Sequence, residues 1–162
     1  MNAQQLLDII IRPTLELMGG NYNSKDAQML LLATAAIESN CGHYIKQMGG
    51  PAVGIWQMEP ETACDIWGNC DALKGCGMVD VMDSLSLSGE KDASYNLLFS
   101  PRYACAMARL KYSMDTEPLP VFNDGSALYD YYKRVYNTHL GESTLSKFNN
   151  AWVGCGLSEV RF

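Results

Sequence analysis

The sequence predicts a mainly α domain, and three observations predict it. No alternating apolar–polar run exceeds four residues, so no half-buried strand is signalled. Residues 27–39 read AQMLLLATAAIES, apolar on nearly every face, which marks a helix buried on all sides. Helix-start signals recur, among them Ser100-Pro101, a capping hydroxyl followed by a residue suited to the first turn. The chain has 162 residues, 48% of them hydrophobic and 19% charged, a globular composition of a length that fits one domain over residues 1–162.

Leu6, Leu7, Ile9, Ile10, Leu15 and Leu17 predict a first helix, kinked or restarted at Pro13 and stopped by Gly19 and Gly20. Asn23 or Ser24 caps the second, and Asp26 suits the positive end of its dipole. The glycine-rich stretch GGPAVG follows at 49–54, with at most a small hairpin or irregular β segment near 48–58. Pro60 opens a short helix carrying Thr62 to Trp67. Residues 68–90 are rich in Gly, Ser and Asp and read as loops with one short helix near Val79–Leu85. Ser100-Pro101 then starts RYACAMARLKYSM. Pro118 and Pro120 mark a loop, GSALYDYYKRVYNT reads as another helix, and STLSKFNNAW as the last, capped by Ser143 or Thr144.

Charge and cysteine use narrow the function. A net charge of −6 lacks the cation surplus that duplex nucleic acid demands. The apolar run from Met29 to Ile37 is too short to span a bilayer, which takes about 20 residues. The N-terminus has no cationic stretch before its apolar residues, and Asp8 interrupts them, so no secretory signal is read. Six cysteines at 41, 64, 70, 76, 105 and 155 contain no CxxC pair, so no zinc knuckle is expected. They read as reduced or buried thiols, although the even count permits three disulfides. His43 and His139 are the available partners for a nucleophilic Cys, and no local signature ties either to one. Tyr129, Tyr132 and Tyr136 share a helix face, which reads as core for all but Tyr136. Arg102, Arg109, Lys111, Lys133 and Arg134 read as a solvated face, and the nine methionines as gap-filling core.

Glu38 carries the chemical reading. A carboxyl at the end of an apolar helix loses water, which disfavours its charged form and raises its pKa. Such a group can protonate a leaving oxygen, as glycoside cleavage requires. The alternative is a glutamate whose side chain simply reaches solvent.

Glu38-Ser39 is followed by Gly54-Ile55-Trp56-Gln57-Met58-Glu59-Pro60-Glu61-Thr62-Ala63, and later by Tyr136-Asn137. This pattern resembles the lytic transglycosylase and goose-type lysozyme superfamily, and within it the small phage-encoded transglycosylase-like proteins. The resemblance implies a lysozyme-like helical fold whose two lobes flank a groove for the β-1,4 glycan of peptidoglycan. It implies Glu38 as the catalytic acid, with Ser39 as polar support beside it. Gly54 would permit close backbone approach at the groove floor, and Gln57 would bond the sugar or position the acid. Thr62 would hold the loop into the next helix, while Tyr136 and Asn137 would line the far wall. Trp56 reads as packed beneath the loop.

Two positions depart from the family pattern. Glu59 stands where an apolar residue is usual and brings a second carboxylate. Facing the substrate at roughly 6.5–9.5 Å from the acid, it would activate water for inverting hydrolysis. Facing away, it leaves the family's more usual transglycosylation, in which the sugar's own 6-hydroxyl attacks. Thr138-His139 replaces residues that are usually small. Neither cofactor nor metal is implied. The expected partners are peptidoglycan glycan strands and other virion proteins, without nucleic acid or membrane insertion, for a monomer that is virion-associated or made in the host cytoplasm to act on the host wall. A chitin-like substrate, and an inactive virion protein that keeps the fold, are the competing readings.

Overall fold

The structure is a computed structural model, and it describes residues 1–87, 92–137 and 143–162. It is mainly helical, and among the described residues β structure is limited to two isolated bridges, Lys46 to Val53 and Val53 to Met58.

Pro13 shapes the first segment. Its ring lacks an N–H and crowds the carbonyl four residues back, which an ordinary α-turn cannot accommodate. The chain widens to a π segment, Leu6–Ile11, between α1 (Ala3–Gln5) and α2 (Arg12–Met18). The Arg12 N–H reaches Leu7 O, five residues back, and the Thr14 hydroxyl donates to Ile10 O at 2.6 Å. The expected break is therefore a widening, and Leu6, Leu7, Ile11 and Leu15 all remain fully buried on one side of it. Gly19, at φ 67°, ends the segment.

α3 (Lys25–Ser39) starts where Ser24 Oγ accepts from Ala27 N at 3.1 Å, and every residue from Ala27 to Ala36 is buried. Asp26 accepts from the Phe122 N–H at 2.8 Å, tying the proline-containing loop to the start of α3. α4 (Pro60–Asn69) begins at Pro60 as expected. α5 (Cys76–Leu85) starts three residues before the predicted Val79, after a 3₁₀ turn at Asp71–Lys74. α6 (Ala93–Phe99) was not foreseen; Asp92 caps it, accepting from Ser94 N at 2.8 Å.

Ser100 serves two elements. Its Oγ accepts from Tyr103 N at 3.3 Å to start α7 (Pro101–Ser113), and donates to Leu85 O at 2.7 Å. α7 is buried without a break from Tyr103 to Leu110, and packs against α3 through a Thr34–Tyr112 hydroxyl pair at 2.7 Å. α8 (Gly125–Tyr132) continues into a second π segment, Lys133–Asn137. α9 (Leu145–Gly154), capped by Thr144, lies along α3.

The solvated cationic face is corrected. Arg109 is only 6% exposed, donates to Tyr22 O at 3.1 Å and lies over the Tyr22 ring. Arg102 donates to Pro13 O at 3.0 Å. No described helix is long and apolar enough to cross a membrane.

Candidate active site

α3 delivers Glu38 to a point where its last turn meets the end of α8 and the start of α9. A cavity of about 380 Å³ opens there, lined by Ile37 and Glu38, Tyr132 and Asn137, and Ser143, Lys147 and Asn150. Loss of water pushes the Glu38 carboxyl above the usual carboxylate range, and it outweighs two hydrogen bonds and a buried cation that pull the other way.

Those two groups stand at either end of the π segment, Tyr132 as the last residue of α8 and Asn137 as the last of the π segment. Tyr132 donates its hydroxyl proton to Glu38 Oε1 at 2.6 Å. That proton is then committed, so Ser143 Oγ must be the donor in its 2.8 Å contact with Tyr132. Asn137 lies beside the carboxyl and favours its ionised form. Lys133 Nζ occupies Asn137 Oδ1 at 2.8 Å, which leaves the amide N–H₂ for the acid. Tyr132 and Asn137 are five positions apart, and on an α-helix they would point in different directions. The wider π-turn brings positions five apart nearer to one side, so both line the cavity beside one carboxyl. Burial and the adjacent Glu38 raise the Tyr132 pKa, so it remains a donor across the neutral range.

The other motif residues lie behind the acid. Ser39 Oγ donates toward Ile55 O at 2.5 Å and Ala35 O at 3.0 Å, and accepts from Gly42 N at 2.8 Å. Trp56 is 1% exposed and donates its indole N–H to Leu31 O at 2.9 Å, packed beneath the loop as the sequence suggested. Tyr136 donates to Trp56 O at 2.9 Å from a buried position, so its hydroxyl holds the loop and does not enter the cavity. Gln57, at φ 44°, donates to Gly54 O at 2.7 Å and closes the turn. Gly54 has φ 79°, and a Cβ there would stand 2.2 Å from Leu97 O. Its close approach is therefore to the backbone of α6.

Of the seven candidate site residues, Glu38 and Asn137 line the cavity; Ser39, Gly54, Gln57 and Tyr136 brace it. Glu59 is exposed at the N-cap of α4 and does not line the cavity. Thr138 and His139 lie outside the described residues. His43 is exposed with its ring edge-on to Tyr44. Among the described residues no cluster of His, Cys, Asp and Glu is arranged to hold a metal ion.

Tyr132 is fully buried, as its reading as core expects; what sequence reasoning missed is the bond from its hydroxyl to Glu38, together with Lys111, read as solvated and found half-buried. Tyr132 stands one turn before Tyr136, and that spacing was the available signal. Lys111 falls on the buried stripe that Ala104 and Ala108 begin. Its ammonium donates to Tyr136 O at 3.0 Å and sits 4.4 Å from the Tyr136 ring centre. Burial lowers its pKa, while Glu38 and Glu59 oppose that shift.

No known family model, characterised protein or solved structure matches this chain.

Proposed function

We propose that this protein cleaves the β-1,4 bond between N-acetylmuramic acid and N-acetylglucosamine in peptidoglycan, by lytic transglycosylation at Glu38. The observation that carries the reading is the state of that carboxyl. It is desolvated, raised in pKa and open to a cavity, with one oxygen held by Tyr132 at 2.6 Å. A protonated carboxyl delivers its proton to the leaving O4 as the bond to C1 breaks. The resulting carboxylate is stabilised by the Tyr132 and Asn137 donors, and it removes the proton of the muramyl 6-hydroxyl as that oxygen attacks C1. The product is a 1,6-anhydro end, and the acid recovers its proton with no water consumed.

The position of Glu59 supports this chemistry over hydrolysis, because a water-activating base must face the cavity and Glu59, at the N-cap position of α4, does not line it. In this reading the cavity is the centre of a groove between two lobes that follows the glycan strand. The net charge of −6 opposes long-range attraction to an anionic wall and suits an enzyme carried to its substrate by a phage particle. The test is incubation with purified peptidoglycan, followed by mass analysis of the fragments. Anhydro-muramyl ends that vanish in Glu38→Gln are the expected result. Reducing ends assign hydrolysis, release from chitin alone reassigns the substrate, and no cleavage by the folded parent protein overturns the reading in favour of a binding or structural role.

A further inference from the structure

α3 does not end in an ordinary cap. Asn40 and Cys41 both adopt left-handed backbone conformations, at φ 52° and 54°, and Gly42 follows at φ 81°. Two successive non-glycine residues in this region are unusual, and surrounding bonds must hold them there. The Cys41 N–H returns to Ala35 O at 3.0 Å, the Gly42 N–H is held by Ser39 Oγ, and the N-terminal ammonium donates to Cys41 O at 3.2 Å. The turn drives the Cys41 side chain inward, where it is 1% exposed.

Cys155 meets it there. It caps the C-terminus of α9, is half-buried, and donates its thiol to Asn40 Oδ1 at 3.0 Å. That contact places the Cys155 sulfur beside the residue that precedes Cys41, and the two thiols influence each other's titration. The remaining cysteines are placed differently: Cys64 and Cys76 are exposed, while Cys70 and Cys105 are buried.

We infer that Cys41 and Cys155 are a disulfide-forming pair, and that oxidation by a low-molecular-weight disulfide joins the end of the Glu38 helix to the end of α9. In the first step the Cys155 thiolate attacks the external disulfide and forms a mixed disulfide, releasing one small thiol. The Cys41 sulfur then loses its proton and attacks the Cys155 sulfur, releasing the second small thiol. Two protein thiols are oxidised by two electrons, and one external disulfide is reduced to two thiols. Burial and the neighbouring Cys155 push the Cys41 thiol up to about 12, so its attack is the slow step.

The bond spans most of the chain and ties α9, which supplies Lys147 and Asn150 to the cavity, to the helix that supplies the acid. A chain made in a reducing compartment and working in an oxidising one would acquire it on transfer. That setting rests on the proposed wall-directed activity; the pairing itself does not.

The test exposes the full chain to oxidised glutathione, blocks remaining thiols with iodoacetamide in denaturant, and maps the peptides by mass. The expected result is a Cys41–Cys155 linked peptide, with Cys70 and Cys105 alkylated and Cys64 and Cys76 alkylated or carrying glutathione. The oxidised chain should melt about 5–15 °C above the reduced chain, a gain that dithiothreitol reverses and Cys155→Ser lacks. The parent chain alone, oxidised against reduced, decides the matter without any variant. A persistent glutathione adduct on Cys155, linkage of a different pair, or a melting temperature unchanged by oxidation would overturn the inference. These readouts do not involve glycan cleavage, so failure here leaves the assignment of Glu38 untouched, and the reverse.

Discussion

The two sides of the α3 end use their hydrogen bonds for different purposes. On the inner side, Ser39, Trp56 and Tyr136 each bond a backbone carbonyl, and Gln57 closes its own turn. These bonds join loop 54–57 to α3 and to the second π segment. On the cavity side, Tyr132 bonds Glu38 and Asn137 favours its ionised form, and on the proposed function this side chain changes its charge. The inner contacts keep one state over the whole pH range, whereas the outer ones differ in strength between protonated and ionised Glu38. Stability is therefore concentrated behind the acid, and tuning in front of it.

The largest expected effect breaks the outer side. Glu38→Gln keeps the volume and removes the transferable proton, so wall-clearing activity should fall by at least about 10²-fold while circular dichroism stays unchanged. Gly54→Ala strikes the inner side. Its Cβ would meet Leu97 O at 2.2 Å on a backbone with φ 79°, and we expect a loss of about 2–5 kcal/mol in urea unfolding. The folded fraction of that variant should retain the parental pH profile.

A pair of hydroxyl deletions sharpens the comparison. Tyr132→Phe removes a donor that favours the ionised carboxyl, so the pKa of Glu38 should climb further and the alkaline limb of the activity profile should move to higher pH. Tyr136→Phe orphans the Trp56 carbonyl, costing about 1–3 kcal/mol of stability without moving that limb. A shift of the pH profile in the second variant, or none in the first, would dissolve the distinction between the two sides.

The smallest effect is on stability against pH. The folded state raises the pKa of Glu38, so between the unfolded and folded values the native chain binds more protons, and stability falls as pH rises through that window. Glu38→Gln abolishes this contribution. Its melting temperature should match the parent's below the ordinary carboxylate range and exceed it by a few degrees at neutral pH, as differential scanning calorimetry would record.

What the sequence made legible follows from which interactions are local. Ser24, Ser100 and Thr144 cap the helices they precede, because a cap bonds an N–H three residues on. The burial of α3 was readable from its all-round apolarity. α6 was not, since seven residues give too few turns for a periodic signal and Ser100-Pro101 drew the helix start past it. The raised pKa of Glu38 was legible from its place at the end of an apolar helix. The burial of Tyr132 was legible too, but its bond to Glu38 was not, because that contact joins residues 94 apart in sequence. Nor was Lys111, whose burial is decided by a π segment distant in sequence.

The second π segment has one more consequence. Tyr132 and Asn137 converge only while the helix between them is wound wide. Each residue of an ordinary α-helix advances about 100° around the axis, so a return to that pitch would carry the amide away from the carboxyl and remove its pull toward the ionised form. Removing one residue between 133 and 136, or any ligand that favours the tighter coil, would thus detune the carboxyl from a distance, with every atom of Glu38 still in place.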